Sequence, residues 1–276
     1  MENFTCIADK CKHSCCIGWE IDIDSDTMDK YRAVEGPFRE KLLKNIATDS
    51  DGTSHFILDE NERCPFLNKT GLCDIILNLG EEYLSEICTE HPRFYIQSDS
   101  SVITGYGLCC EKAAQLTLFG DLSDSYIPNV DTDIEEMCKE YSNYPDFPAT
   151  ANWLDLCDFL LKLESLSDTW NSWINYLKVE LSSPSGKIKD SSLSPTIEKA
   201  FYNLMKYLLF RHQNELFASI MWQFIRKLYS FLLMDDGDNE LVAKLLLINV
   251  CREYSCEIEY SDQNPAALLD YFINHM

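Results

Sequence analysis

Cysteine placement constrains this chain more than any other feature. Thirteen of its 276 residues are cysteine, and they crowd toward one end: Cys6, Cys11, Cys15, Cys16, Cys64, Cys73, Cys88, Cys109 and Cys110 all precede residue 111. The total is odd, and two pairs are adjacent, Cys15–Cys16 and Cys109–Cys110. Met1 to Cys11 lacks the basic flank and apolar run of an export signal. A secreted disulfide framework is therefore not expected. In a reducing compartment clustered thiols point to metal, because thiolate is a soft, strong ligand. The candidate ligands are Cys6, Cys11, Cys15, Cys16, Cys64, Cys73, Cys88 and Cys110. Cys138, Cys157, Cys251 and Cys256 are scattered through acidic or helical segments and read as small core residues.

Spacing bears on which metal. Structural zinc favours four ligands, often as two short pairs, and no such pairing stands in this sequence. A four-iron cluster also takes four thiolates but tolerates varied spacing, since each iron presents one outward position. A 4Fe–4S cluster is the favoured reading and zinc the alternative. Eight thiols exceed one four-ligand site, so two sites, or one site with packed thiols beside it, both stay open. Neighbouring cysteines bind one small centre only with backbone strain, so Cys15 and Cys16 are expected to point apart. His13 and His91 read as polar neighbours of the thiols, and Trp19 as a shield against water.

Charge excludes partners better than it names one. With 46 acidic and 23 basic residues the formal charge is -23, a field that repels nucleic acid and anionic lipid. The most apolar windows, near Trp153–Leu163, Leu204–Phe210 and Leu241–Val250, are shorter than the ~20 residues a membrane helix needs. The expectation is a cytoplasmic protein that neither binds nucleic acid nor inserts into membranes. Apolar residues make up 46%, enough for a sizeable core without metal. Gly105-Tyr106-Gly107 lacks the third glycine of a dinucleotide fingerprint. Cys11 and Cys15 are followed by Gly18 where a radical adenosylmethionine motif would need its third cysteine.

Periodicity divides the chain into a mainly α protein, with an irregular cysteine-rich metal-binding N-terminal region packed with a helical C-terminal region. The cysteine-rich part covers 1–120, an acidic connector 121–148, and the helical part 149–276. Ile21 and Ile23 alternate with Asp22 and Asp24 as in a short strand. Asp26 is placed as the cap of a helix through Tyr31, and Phe38 to Ile46 reads as a second. Leu72 to Cys88 carries helical periodicity that Gly80 weakens. Later helices are expected over Cys110–Leu118, Ala151–Leu163, Thr169–Val179, Leu216–Leu232 and Leu241–Cys251, with a last one opening at Asn264-Pro265. Ser194 as cap and Pro195 as first helical residue start another that runs to His212.

Wording as well as spacing carries a resemblance. Phe4, Cys6, Cys11 and Cys15-Cys16-Ile17-Gly18-Trp19, then Cys64-Pro65-Phe66-Leu67, Leu72-Cys73, Leu79-Gly80-Glu81, and Cys88 with His91-Pro92-Arg93 resemble the flagellin lysine-N-methylase family. So does Cys110 followed by Ala113-Ala114, although Glu111 stands where that family usually has proline. The cysteine segments are also similar to a broader group of zinc- or iron-chelating domains. The resemblance covers residues 4–118 and implies an S-adenosylmethionine-dependent protein-lysine N-methyltransferase acting on flagellin, with an iron–sulfur cluster. It names no catalytic base and no cosubstrate pocket. Tyr95, Tyr106, Glu81, Glu82 and Arg93 flank the cysteines and are candidates for a polar cleft. The competing expectation is a non-enzymatic iron–sulfur or zinc protein, acting as a redox, metal-responsive or protein-interaction module.

Overall fold

The computed structural model describes residues 4–97, 102–120, 150–163, 167–183, 193–233, 239–261 and 263–275. It is mainly helical with minor sheet, and it divides into two compact units, Met1–Phe94 and Tyr95–Met276. The acidic connector and Cys138 lie outside the described residues.

The first unit is built from short pieces. Strands β1 (Asp22–Ile23), β2 (Ile46–Thr48) and β3 (Ser54–Phe56) form an antiparallel sheet in the order β1-β3-β2, with Ile23 opposite Ser54 and Ala47 opposite His55. Ile21 and Ile23 are buried, as their alternation predicts. Helix α1 (Ser25–Ala33) follows, and its cap is Asp24, not Asp26: the Asp24 carboxylate accepts the N–H of Thr27 at 2.8 Å. The predicted start sits two residues late because either aspartate satisfies the local pattern, while the extended backbone of residue 24 ends β1. Helix α2 is Phe38–Lys44.

The expected Leu72 to Cys88 helix is broken. It appears as α3 (Asp74–Leu79), a single tight turn at Glu81–Tyr83, and α4 (Glu86–Glu90). Gly80 has φ of 108°, a conformation closed to side-chain-bearing residues, so the chain turns there instead of weakening. The core gathers Ile21, Ile23, Tyr31, Leu42, Phe56, Cys64, Phe66 and Ile75. Its centre is the edge-on contact of Phe56 and Phe66, with ring centroids 4.9 Å apart.

Strand β4 (Arg93–Gln97) leads into the second unit and pairs with β5 (Val102–Tyr106), a ribbon the sequence pattern does not announce. Long helices then dominate: α5 (Glu111–Phe119), α6 (Thr150–Leu160), α7 (Asp168–Leu181), α8 (Pro195–His212), α9 (Glu215–Leu233), α10 (Glu240–Tyr254) and α11 (Asn264–His275). Helix α8 has the predicted ends, with the Ser194 hydroxyl accepting the N–H of Ile197. The apolar faces of α8 and α9 fill the core with Phe201, Leu204, Leu208, Phe224, Ile225 and Leu228, all fully buried. Helix α10 passes directly into a wider turn at Ser255–Glu259. Among the described residues no helix is long and apolar enough to cross a membrane.

Candidate metal centre

Four of the eight predicted ligands pack on one core in the first unit. Cys64 is buried in its core, and Cys16, Cys73 and Cys88 pack against the same cluster. Backbone pairing draws them in. The N–H of Cys64 donates to the carbonyl of Cys16 at 2.9 Å, and that of Gly18 to Glu62 at 3.0 Å, so the Cys16 turn and the Cys64 turn lie side by side. Leu67 and Cys73 form an isolated antiparallel bridge, and Asp74 N–H reaches the carbonyl of Phe66 at 2.7 Å. The Asn68 turn between them is closed by its own amide oxygen, which accepts from Thr70 N–H at 2.9 Å and Leu72 N–H at 3.1 Å. Arg63 ties the same turn through Leu67 and Asn68 carbonyls at 3.1 and 2.8 Å.

Cys73 stands just before α3, and the N–H groups of Ile75 and Ile76 point to its sulfur. The N–H of Phe66 likewise serves the Cys64 sulfur. Cys88 rides on α4, whose first residue is anchored by Asp24: the second carboxylate oxygen accepts the N–H of Glu86 at 2.8 Å. One aspartate therefore ends β1, starts α1 and holds α4.

Electrostatics couple the four sulfurs. Burial first, then charge on Cys16, Cys88 and Cys73, pushes the Cys64 thiol up to about 12. Burial and the same neighbours Cys16 and Cys73 push Cys88 up to about 11, and Cys73 is raised for the same reasons. Cys16 moves the other way, lowered to about 7 by a hydrogen bond with Cys15, with Ser14 and the Arg63 guanidinium assisting against burial. Four anionic sulfurs cannot share this space unless a cation joins them, and that is the condition a thiolate-bound metal satisfies. Among the described residues, no group of three or more His, Cys, Asp or Glu side chains is placed to hold a metal ion. The four thiols are soft donors, one buried and three half-buried.

The other predicted ligands stand elsewhere. Cys6 is exposed in the N-terminal loop, and Cys11 donates its thiol to the His13 carbonyl at 3.0 Å. Cys15 is exposed and bonds to Cys16 rather than joining the core. Trp19 covers that turn, its indole N–H donating to the Cys15 carbonyl at 2.5 Å and its ring centroid 5.7 Å from that of His91. Burial lowers the His91 imidazole to about 4, so it is neutral at pH 7. Cys110 belongs to the second unit, where it precedes α5.

Of the cleft candidates, Tyr106 is buried, Tyr95 is exposed, and Glu81 and Glu82 are exposed on the tight turn. Arg93, at the start of β4, donates its guanidinium to the Thr89 carbonyl of α4 at 2.7 Å. Two groups escaped the sequence. Tyr31 lies fully buried in the core onto which the cysteines pack, although its position signals only the end of a helix. In the second unit Glu259 is buried, its carboxylate accepting from Tyr207 at 2.6 Å and Ser255 at 2.5 Å and lying 3.2 Å from His212 Nε2. Nearby, Cys256 feels the same carboxylate and acts electrostatically on half-buried Cys109, which hydrogen-bonds with the Tyr260 hydroxyl. An acidic, tyrosine-containing stretch reads as surface, and no sequence signal marks it as interior.

Similarity to proteins of known name is distant. The chain is 26% identical over 216 residues to a Lysine-N-methylase of Salmonella choleraesuis (strain SC-B67), covering 75% of this chain and 51% of that protein. A Lysine-N-methylase of Salmonella typhimurium (strain LT2) gives 26% over 215 residues, 74% of this chain and 51% of that protein. A Flagellar biosynthetic protein FliU of Salmonella muenchen gives 28% over 121 residues, 42% of this chain and 72% of that protein. The chain thus spans about half the length of the Lysine-N-methylases it matches. No family model and no solved structure matches it.

Proposed function

We propose that this chain is an iron–sulfur protein of the lysine-N-methylase type, transferring a methyl group from S-adenosylmethionine to lysine side chains of a protein, with flagellin as the first substrate to test. The observation that supports the reading is that Cys16, Cys64, Cys73 and Cys88 pack on one core, in a chain distantly similar to Lysine-N-methylases. These four residues would hold the cluster. When bound it supplies positive charge that keeps the thiolates ionised and a centre able to accept an electron.

The chain's own residues do the rest. Asp24 fixes the helix bearing Cys88, Arg63 and Asn68 fix the turn between Cys64 and Cys73, and Trp19 covers the Cys15–Cys16 turn. A cluster suits this set better than a single zinc ion. One zinc asks all four sulfurs to reach one point at about 2.3 Å, whereas each iron of a cluster takes one thiolate. In the methyl transfer itself the neutral lysine amine attacks the sulfonium methyl in line. The C–S bond breaks, S-adenosylhomocysteine leaves, and the amine loses one proton.

The test has two stages. Anaerobically purified protein is assayed for iron and acid-labile sulfide, then incubated with methyl-labelled S-adenosylmethionine and flagellin. Four irons with matching sulfide and label on flagellin lysines are expected. Iron and sulfide without label, across several reconstitution conditions, would refute the methyltransferase and leave a redox or interaction module. The half-length match to the relatives is the specific reason to keep that second reading.

A further inference from the structure

The loop that opens α5 is held against the end of α10 at two points, and a cysteine stands between them. Arg252, in the last turn of α10, donates its Nε–H to the carbonyl of Cys109 at 3.1 Å. Tyr260, just past the wider turn at Ser255–Glu259, reaches the same loop with its hydroxyl. A β-carbon on Gly107 would stand 2.3 Å from that hydroxyl oxygen, so only glycine leaves it room. The hydroxyl is also hydrogen-bonded with the Cys109 thiol.

Cys256 is the residue midway between these contacts. Residues four apart lie one above the other on a helical turn. Arg252, Cys256 and Tyr260 follow at that interval, and both outer members touch Cys109. Cys256 therefore faces the same loop, within about 6 Å of each neighbour along the axis. Electrostatics agree: after burial, the charge of Cys256 is the largest influence on the Cys109 thiol. Both sulfurs are half-buried, whereas Cys157 and Cys251 are sealed in the core.

We propose that Cys109 and Cys256 are a redox-active pair, oxidised by a hydroperoxide to a disulfide that clamps the start of α5 to the end of α10. One thiolate attacks the peroxide oxygen. The O–O bond breaks, the sulfur becomes a sulfenic acid, and hydroxide leaves. The second thiolate then attacks that sulfur: the S–S bond forms, the S–O bond breaks, and the oxygen leaves as water. Two thiols lose two electrons and two protons, and hydrogen peroxide becomes two waters. Burial raises the Cys256 thiol to about 11, against the lowering charge of Arg252. The first step is therefore slow at neutral pH, and the pair answers sustained oxidant rather than a brief pulse. Both residues belong to the second unit and the step needs no metal, so it stands apart from the iron–sulfur reading.

The experiment treats the reduced full-length chain with hydrogen peroxide at mildly alkaline pH. Remaining thiols are alkylated before denaturation, and the unreduced digest is mapped by mass spectrometry with fragmentation to place each link. A peptide joining Cys109 to Cys256 is expected in the wild type, and dithiothreitol should abolish it. The oxidised chain should unfold at a higher temperature than the reduced one. Cys256→Ser should lose both the linked peptide and the rise in midpoint, and Cys251→Ser should keep both. Cys109 joined instead to Cys110 would overturn the pairing. So would sulfinic or sulfonic acid at Cys109 or Cys256 without the linked peptide, or both thiols still alkylated after methionines have oxidised. A linked peptide with an unmoved midpoint would overturn the clamp. If Cys256→Ser does not fold, the wild-type map decides the pairing by itself.

Discussion

The two units surround their buried polar groups with different chemistry. Around Glu259 in the second unit, the chain supplies the partners itself: Tyr207 and Ser255 donate to the carboxylate, His212 stands beside it, and the His212 ring nitrogen also meets the Tyr254 hydroxyl at 2.8 Å. The Arg211 guanidinium reaches the Glu259 carbonyl at 3.3 Å. In the first unit, four thiols pack on one core with the Arg63 guanidinium acting on Cys16, and among the described residues the Tyr31 hydroxyl has no hydrogen-bond partner. The secondary structure differs in the same sense. Helices of up to 19 residues bury whole apolar faces in the second unit, while the first has helices of 5 to 9 residues and strands of two or three. The second unit closes on long apolar faces, and the first on short pieces held by turns and side-chain caps; a metal bound there, as proposed above, would add to those ties.

Ligand removal should break the comparison most visibly. Cys64→Ser takes one of four donors from a buried centre and should lower metal affinity by more than the ~100-fold seen for outer-shell partners. Metal analysis after gel filtration would then find the variant nearly empty. The same change at Cys251, fully buried in the second unit, should leave metal content at the wild-type level. Its cost is the burial of a hydroxyl in place of a thiol, about 1–3 kcal/mol, read as a lower denaturation midpoint. Equal metal in the two variants would erase the distinction between the regions.

The second unit has its own vulnerable point. Glu259→Ala removes the acceptor shared by Tyr207 and Ser255 and leaves His212 without its counter-charge. The expected loss is roughly 3–5 kcal/mol, as for other buried pairs with one member deleted. Acid should act on the same group. Burial drives the Glu259 carboxyl up, but the hydrogen bond and charge of His212, the Arg211 charge and the Ser255 hydroxyl hold it below its ordinary value of 4.5. A folded-state value below the unfolded one means that the unfolded chain binds the proton more readily. The stabilisation is therefore complete above pH 4.5 and is lost as pH falls through the lower folded value. Far-ultraviolet circular dichroism of the wild type should show this acid limb, and Glu259→Gln should flatten it while lowering stability at neutral pH.

Legibility followed the range of the interactions. Helix α8 was readable to the residue because Ser194, Pro195 and the apolar repeat act within one turn of each other. The break at Gly80 was visible as a glycine but not as a turn, since helical periodicity continues on both sides of it. That the cysteines crowd the N-terminal region was readable from their positions. Which of them pack on one core was not, because that depends on Cys16 pairing with Cys64 and Leu67 with Cys73 across intervening turns. Tyr31 and Glu259 were hidden for the same reason. A tyrosine at a helix end and a glutamate in an acidic stretch acquire their roles only from what the fold brings against them.

The finest comparison is between two helix caps. Ser194→Ala in the second unit removes one acceptor from the start of α8 and should cost about 1 kcal/mol, with no further consequence. Asp24→Ala removes the corresponding acceptor from α1 and also frees the Glu86 N–H at the start of the helix that carries Cys88. It should cost about 2 kcal/mol, the upper end for a cap, and should weaken metal retention as Cys88 loses its anchor. Chelator competition reads the second effect and thermal unfolding the first. If Asp24→Ala released metal no faster than Ser194→Ala, the Cys88 helix would be held independently of β1 and α1. The four thiols would then owe their placement to the turns at Cys16 and Asn68 alone.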